Sequence, residues 1–226
     1  MLRAKLTDTG AIIGVMPLGS GNDFSRTAQE LVSGGELAMR LAFAEPVVMD
    51  AGHIRFESTQ YPDQYFVNVA NVGFSAAVGD RVERSLRRLP RAAGYLLGVL
   101  TTLVGYKNPW VEMELDGERR SCCANSVVIA LGKYFGQGMQ IAPNAVAGDG
   151  HFEVILLGDI GKIDLVASYP RLYTGSHIHH RKVDVLRGRC LTIQADQHLT
   201  VESDGDTRGH LPATFEVLSG AIRVIA

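Results

Sequence analysis

From residue 47 onward, short runs of apolar residues alternate with glycine, proline and Asp-Gly turn signals, a pattern typical of antiparallel β-strands in a sandwich. Residues 61–63 mark one such turn, and Asp116-Gly117 marks a hairpin. The pattern also predicts helices over residues 75–105 and 160–173. The predicted strands cover residues 47–50, 65–70, 110–115, 126–131, 152–157, 182–186, 190–195, 199–203, 214–218 and 221–225.

The first 44 residues show a pattern of one strand followed by helices instead of successive strands. Residues 11–15 form a short apolar run that predicts a buried strand, which Pro17 ends. Helices are predicted over residues 23–31 and 35–43, and Pro46 marks the exit from this region. A strand followed by helices is typical of the end of an α/β domain, so we expect the chain to change architecture near residue 44.

A polar, glycine-spaced loop joins the first predicted strand to the first predicted helix. Gly19 and Gly21 would let the backbone approach a ligand that a Cβ would push away. Asn22 and Asp23 can cap the helix, whose N-terminus favours an anion, and Arg26 could add a phosphate contact. The loop therefore indicates a phosphate site, although a plain strand–turn–helix junction would need the same glycines.

Composition narrows the classes of function. With 226 residues, 46% of them hydrophobic, the chain is large enough to bury a core. A net charge of −2 argues against a dedicated nucleic-acid-binding protein, and neither a signal peptide nor a membrane-spanning apolar segment is visible. The three cysteines lack zinc spacing, which favours a reducing, cytoplasmic location.

Two aspartates followed by glycine are candidates for chemistry. A carboxylate such as Asp204, on a turn between strands, can act as a general base, but Asp-Gly is also the commonest hairpin turn. Asp149 is the best candidate for binding a hard cation such as Mg²⁺, because such ions prefer oxygen ligands. A simple turn aspartate explains Asp149 about equally well on local grounds.

Three segments of the chain resemble, in the same order, the motifs of the soluble lipid kinase superfamily, which includes bacterial diacylglycerol kinases and sphingosine kinases. Residues 16–26 read MPLGSGNDFSR and are similar to PLGTGNDFAR. Residues 136–145, closed by Asp149-Gly150, are similar to GGG-x-x-IAP-x-A-x-x-x-DG. Asp204-Gly205-Asp206 stands where the family usually has Asp-Gly-Glu. The resemblance runs from about Gly14 to the C-terminus.

The resemblance implies a fold of the NAD kinase and diacylglycerol kinase type: an α/β remnant of a Rossmann-like nucleotide domain plus a larger antiparallel β-sandwich. In this interpretation, residues 1–44 are the C-terminal part of the nucleotide-binding domain. Residues 45–220 are the lipid-binding sandwich, and residues 221–226 form a strand that returns to the nucleotide domain. The active site is expected in the cleft between the two domains.

The resemblance also implies a reaction, ATP-dependent phosphorylation of a lipid hydroxyl, with diacylglycerol as the default acceptor. Asp204 and Asp206 would be catalytic, although Asp206 is one methylene shorter than the family's glutamate. The nucleotide phosphates and their Mg²⁺ would face residues Gly19, Ser20, Gly21, Asn22, Asp23 and Arg26. A structural Mg²⁺ would be held by Asp149 with main-chain carbonyls near Val146 and His151.

One family feature is not found in this sequence. The family normally has a Gly-Gly-Asp-Gly-Thr loop upstream of the Asn-Asp-Phe motif, and only 13 residues precede Gly14 here. We therefore expect a fragment or a late start codon, and a catalytically inactive lipid- or partner-binding module is an alternative. A kinase of a soluble substrate, like the NAD kinases, is a third hypothesis that the Asn-Asp-Phe motif disfavours.

Two clusters of basic residues can be interpreted either as ordinary solvent-exposed side chains or as binding sites. A run of arginines precedes an apolar helical stretch and could lie on an anionic membrane surface, or could simply be a solvated face. The histidines at 177, 179 and 180 invite a metal interpretation, but without a matched acid we expect surface histidines. The sequence leaves open whether the protein forms a homodimer. The arginines are Arg81, Arg84, Arg87, Arg88 and Arg91.

Overall fold

The computed structural model describes residues 11–19, 21–30, 39, 44–86, 89 and 91–225, and within them fourteen strands and four α-helices. The helices are α1 (Asp23–Glu30), α2 (Phe74–Arg81), α3 (Arg91–Gly105) and α4 (Lys162–Ser168). The strands are β1 (Ile12–Gly14), β2 (Val47–Phe56), β3 (Gln64–Phe66), β4 (Val69–Gly73), β5 (Trp110–Leu115), β6 (Glu118–Ala130), β7 (Tyr134–Phe135), β8 (Met139–Gln140), β9 (Phe152–Gly158), β10 (Val183–Gly188), β11 (Cys190–Ala195), β12 (Thr200–Ser203), β13 (Asp206–His210) and β14 (Ala213–Ile225).

Twelve of the described strands form two sheets that share the long strand β6, and β7 and β8 pair separately with each other. In the first sheet the order is β3-β2-β14-β11-β5-β6, all antiparallel, and β1 joins the far end of β14 in parallel. In the second sheet the order is β13-β12-β4-β6-β9-β10, again antiparallel. The start of β6 pairs with β5, and its buried second half pairs with β4 and β9.

Apolar side chains from both sheets fill the space between them. Phe66, Phe152 and Phe215 are fully buried there, together with Ile54 and Ile193. Each such side chain contributes roughly 1.5–3 kcal/mol of hydrophobic free energy to folding. The expected β-sandwich of the NAD kinase type is therefore present, and it provides the rigid frame for the loops described below.

A second cluster of apolar residues joins α1 to one end of the first sheet. Ala28 of α1 packs with Met49, Ile222 and Val224. The last residues of β14 pair with β2 and, in parallel, with Ile12–Gly14. The C-terminal strand thus connects the sandwich to the region that precedes it in sequence.

Several elements differ from the sequence-based prediction. Among the described residues β1 pairs with β14 alone and Ile12 is 50% exposed, so the prediction that β1 is buried is wrong. Strands 214–218 and 221–225 are one strand, β14, with a shift of register between Leu218 and Ile222. Helix 160–173 ends at Ser168 and continues as a 3₁₀ turn that begins with Tyr169-Pro170.

Two further differences lie close to the predicted catalytic turn. The strand predicted over residues 65–70 is split, because β3 belongs to the first sheet and β4 to the second. Strand β13 was not predicted, because residues 206–210 carry no alternating apolar side chains. The helix predicted over 35–43 lies outside the described residues except for Met39, which is helical. Among the described residues, no helix has both the length and the apolar character needed to cross a membrane.

Candidate active site

The Asp204-Gly205 turn connects β12 to β13 and has positive φ angles at both residues, +48° and +87°. Such angles are typical of the two-residue hairpin turn that Asp-Gly favours. The turn itself is exposed, but the Asp204 carboxylate lies against the backbone between β3 and β4. Its oxygens accept hydrogen bonds from the backbone N–H groups of Val67, Asn68 and Val69, at 2.8, 3.1 and 3.1 Å.

These contacts determine the chemistry available to Asp204. Burial of the carboxylate raises the pKa of Asp204 above its ordinary value, and the three backbone N–H donors partly oppose that rise. An ionised carboxylate has about four lone-pair sites, so three amide bonds leave one site for a proton or a substrate hydroxyl. The arrangement fits a positioned general base, and it also fits a carboxylate that only holds the backbone.

Asn68 joins the Asp204 turn to α1 and to β7, which overlap or border the two other family-like segments. Its buried side chain accepts a long hydrogen bond from Thr27 Oγ1 of α1, at 3.5 Å, and donates to the carbonyl oxygen of Tyr134 at 2.8 Å. A Cβ on Gly132 would collide with Asn68 Oδ1 and would lie 2.7 Å from Thr27 Oγ1. Asn68 was missed in the sequence, because its partners are far away along the chain.

The glycine-spaced loop before α1 is held by the side chain of Asn22. Asn22 Oδ1 accepts the Gly19 N–H at 2.9 Å, and Nδ2 donates to the Pro17 carbonyl at 3.2 Å. Asn22 itself has a φ of +56°, which asparagine tolerates better than most residues. A Cβ on Gly21 would lie only 3.2 Å from Asp23 Oδ2. Ser20, the remaining predicted residue of this loop, lies outside the described residues.

Asp23 and Arg26 of α1 both approach the loop between β7 and β8. The Asp23 carboxylate accepts the backbone N–H groups of Gln137 and Gly138, at 3.0 and 2.7 Å. The Arg26 guanidinium lies beside Gly138, is exposed and forms no ion pair with the described residues. Arg26 therefore has no acidic partner among the described residues, and its predicted phosphate contact stays a prediction. At the other end of α1, Glu30 bonds to Lys133 and Tyr134.

Asp206 is the second predicted catalytic residue, and it points away from the Asp204 contacts. Its side chain is 69% exposed and pairs with the Arg208 guanidinium at 2.8 Å. Arg208 also donates to Ser203 Oγ at 3.3 Å. The charge of Asp206 is thus already partly neutralised by a neighbour on the same hairpin.

Glu202 is a candidate that the sequence did not indicate. It pairs in register with Asn71 on β4, and a Cβ on Gly79 of α2 would lie 2.9 Å from Glu202 Oε2. Desolvation beneath α2 raises the pKa of Glu202 to about 7; a hydrogen bond from Asn71 opposes the rise, and the charges of Asp204 and Asp206 add to it. The sequence carries no signal for this carboxyl beyond its place in an alternating strand.

An arginine side chain lies at the predicted structural Mg²⁺ site around Asp149. Asp149 Oδ2 accepts a hydrogen bond from the Arg187 guanidinium at 2.6 Å, and Oδ1 accepts the His151 N–H at 3.0 Å. Val146 is exposed. Within the part of the chain described, no three metal-binding side chains converge on one point. The Arg187 guanidinium thus occupies one Asp149 oxygen, and the Mg²⁺ site at Asp149, Val146 and His151 stays a prediction.

Two other predictions about side chains can be compared with the structure. His177 is buried, with Nε2 3.0 Å from the Ile141 carbonyl oxygen, so the expectation of a surface histidine is wrong there. Of the five arginines before the apolar stretch, Arg81 and Arg84 are exposed and Arg84 pairs with Asp80. The structure does not describe Arg87, Arg88 or the side chain of Arg91.

The predicted residues thus fall into two separate groups. Helix α1, strand β7 and the Asp204 turn meet at Asn68, and Asp23 of α1 also bonds the loop after β7. None of the hydrogen bonds found within the described ranges connects Asp149 to Asp204 or to Asn68; instead, Gly150 next to it donates to the buried carboxylate of Asp50 at 2.7 Å.

Comparison with known proteins agrees with this fold. The chain is 25% identical over 217 residues to a diacylglycerol kinase from Staphylococcus carnosus (strain TM300), covering 94% of this chain and 67% of that protein. It is also 25% identical over 224 residues to a diacylglycerol kinase from Mycobacterium tuberculosis (strain ATCC 25618 / H37Rv), covering 97% of this chain and 71% of that protein. The chain therefore spans about two thirds of the length of these relatives.

A solved structure with the same fold is a diacylglycerol kinase from Bacillus anthracis str. Sterne. It superposes with a TM-score of 0.65 at 18% sequence identity, covering 94% of this chain and 65% of that one. Residues 68–226 match the family described as "YegS C-terminal NAD kinase beta sandwich-like domain". That match takes in well over half of the chain and confirms the expected superfamily. The chain belongs to the family of YegS C-terminal, NAD kinase-like β-sandwich domains.

Proposed function

We propose that this chain contains the acceptor side of a kinase site that transfers the γ-phosphoryl group of ATP to a lipid hydroxyl, with diacylglycerol as the first candidate acceptor. The observation that carries the proposal is that α1, strand β7 and the Asp204 turn, which overlap or border the three kinase-like segments, meet at Asn68. Relatives named diacylglycerol kinase that align with nearly the whole chain support it.

In this proposal Asp204 is the general base. The hydroxyl oxygen of the lipid attacks the γ-phosphorus, the bond from phosphorus to the β-phosphate oxygen breaks, and ADP leaves. The hydroxyl proton goes to the lone-pair site of Asp204 that the three amides leave free. Fixing that carboxylate on three backbone amides keeps it oriented, which is where most of its catalytic advantage would arise.

The phosphate side of the proposed site is the glycine-spaced loop and the start of α1. Gly21 leaves no Cβ beside Asp23, and the unpaired Arg26 guanidinium lies next to Gly138. Together with the helix N-terminus, these groups favour an anion. Mg²⁺ that arrives with ATP would neutralise phosphate charge, and the Asp23 carboxylate, which keeps a free lone pair on each oxygen, is the group that would hold it.

A lipid acceptor requires contact with a membrane surface, and we propose that the helices supply it. α3 and α4 expose the apolar side chains Leu100, Val104 and Ile163, while Arg81 and Arg84 lie exposed nearby on α2 and the π-helical turn that follows it. Apolar side chains beside basic ones favour binding to an anionic bilayer surface.

A second candidate function is a lipid-binding module that does not transfer phosphate. One observation favours it: Asp116, in the other Asp-Gly hairpin turn, also uses its carboxylate to accept backbone N–H groups, those of Arg189 and Cys190. The contacts of Asp204 are therefore not in themselves specific to catalysis.

Incubation of the chain with γ-labelled ATP and diacylglycerol in mixed micelles separates the candidates. The kinase proposal expects label in the organic phase, and parallel arms with NAD and without acceptor control for other transfers. Label in the NAD arm alone would replace it with a soluble-substrate kinase. Absence of transfer, with the chain still sedimenting with anionic vesicles, would favour the binding module.

A further inference from the structure

The loop that follows β8 ends in Asp149-Gly150 and is held by two arginines from the opposite side of the fold. The Arg187 guanidinium donates to Asp149 Oδ2 at 2.6 Å, and Arg189 Nε donates to the Gly150 carbonyl oxygen at 3.2 Å. Arg187 is near the end of β10, and Arg189 is the single residue between β10 and β11. The Asp149 carboxylate and the Gly150 carbonyl oxygen are therefore each bonded to a guanidinium group.

A second carboxyl belongs to the residue opposite Arg187 on the neighbouring strand. Arg187 is the register partner of Glu153 in the β9–β10 pair, and Glu153 is buried. Burial raises the pKa of Glu153 above its ordinary value, while hydrogen bonds from Asn144 and the positive charge of Arg187 oppose that rise. Of the residues described, none gives Glu153 Oε2 a hydrogen bond. Arg187 is thus placed to neutralise two acidic side chains.

We propose that Arg187 takes the place of the structural divalent cation that the family resemblance implies at Asp149. A cation on Asp149 Oδ2 would have to displace the guanidinium or lie beside it, and two positive charges in contact repel each other. A guanidinium is permanently charged and donates several hydrogen bonds in a fixed fork, so it can neutralise a carboxylate without any ion from solution. The stability of the folded chain should therefore not depend on Mg²⁺ binding at this site.

Thermal unfolding in EDTA and in millimolar MgCl₂ tests the proposal without any assay of activity. The wild-type chain should unfold at the same Tm in both solutions. Arg187→Ala should lower Tm in EDTA by several degrees, and MgCl₂ should restore part of that loss, because Asp149 and Glu153 are then free to bind the ion. Arg119→Ala is the matched control, since it also removes an arginine–carboxylate pair, the one with Glu114, at an exposed hairpin.

Two results would overturn the proposal. One is a wild-type chain whose Tm rises with MgCl₂, with that rise abolished in Asp149→Asn, which would show that a metal binds there despite Arg187. The other is an Arg187→Ala variant with the stability of Arg119→Ala and no response to MgCl₂. Because each result is read from Tm, neither depends on whether the chain is a kinase.

Discussion

The backbone N–H of Asn68 donates to the Asp204 carboxylate across 136 positions of sequence, with the nitrogen and oxygen 3.1 Å apart. This bond lies where the chain passes from the first sheet, in β3, to the second sheet, in β4. The three N–H groups of residues 67–69 would otherwise need other partners at this crossing, and Asp204 supplies them. The same crossing brings the Asn68 side chain against α1 and Tyr134.

Gly132→Ala tests how tightly this crossing is packed. The new Cβ would collide with Asn68 Oδ1 and would lie 2.7 Å from Thr27 Oγ1, so both hydrogen-bonding side chains must move. Overpacking of this kind costs about 1–3 kcal/mol, and each kcal/mol lowers Tm by roughly 2–4 °C in a chain of this size. Calorimetry should show that loss. Gly161→Ala is the control, because nothing lies within 4 Å of the added Cβ and the φ of −73° suits alanine. Equal Tm values for the two variants would contradict the account.

Asp23→Ala tests the link between α1 and the loop that follows β7. The carboxylate accepts the Gln137 and Gly138 N–H groups, and without it these amides lose their partner. We expect their hydrogen exchange to accelerate by about tenfold or more, because a bond to a charged group contributes roughly 1.5–3 kcal/mol. Asp80→Ala, which removes an exposed ion pair with Arg84, should leave exchange at 137–138 unchanged. Unchanged exchange in Asp23→Ala would show that the loop is held by other contacts.

Glu202→Gln tests the partly exposed carboxyl that lies beneath α2. The pKa of Glu202 is raised from 4.5 to about 7 in the folded state. Between these two pH values, the folded chain therefore holds a proton on Glu202 that the unfolded chain has released. Stability contributed by this group therefore falls as pH rises from about 4.5 to 7 and stays low above that. Glutamine imitates the neutral acid, so the variant should unfold a few degrees higher than wild type at about pH 8, with the difference vanishing near pH 4.5.

The control for that experiment is Glu118→Gln, an exposed residue at the start of β6. Its Tm should follow the wild-type pH profile. Parallel profiles for wild type and Glu202→Gln would contradict a raised pKa at Glu202. Asn71 Oδ1, which is buried without a partner among the described atoms, is the acceptor that a protonated Glu202 could satisfy.

The sequence predicted the architecture well because strand patterning and turn residues are local. The strands β5 and β11 were predicted with their observed bounds, and the turns at Asp116-Gly117 and Asp204-Gly205 both form hairpins. β13 was not predicted because its residues are polar on both faces, and its place in the sheet comes from pairing with β12.

The site was less predictable, because its contacts join residues that are distant in sequence. Motif order indicated Asp204 and the glycine-spaced loop, but the bonds from Asn68 to Thr27 and Tyr134 span 41 and 66 positions. The Asp149–Arg187 pair likewise depends on the register of β9 and β10, which no local pattern specifies. The burial of Glu202 depends on how α2 lies over β12, and tertiary packing alone decides that.

The most direct test of the proposed function compares Asp204→Asn with Asp116→Asn in phosphate transfer from γ-labelled ATP to diacylglycerol. Both residues occupy the first position of an Asp-Gly hairpin turn and cap backbone N–H groups with their carboxylates, so both variants should lose stability to a similar extent. With rates corrected for the folded fraction, the account predicts a loss of about 10²–10⁴-fold for Asp204→Asn and near wild-type transfer for Asp116→Asn. Equal rates for the two variants would contradict a catalytic role for Asp204.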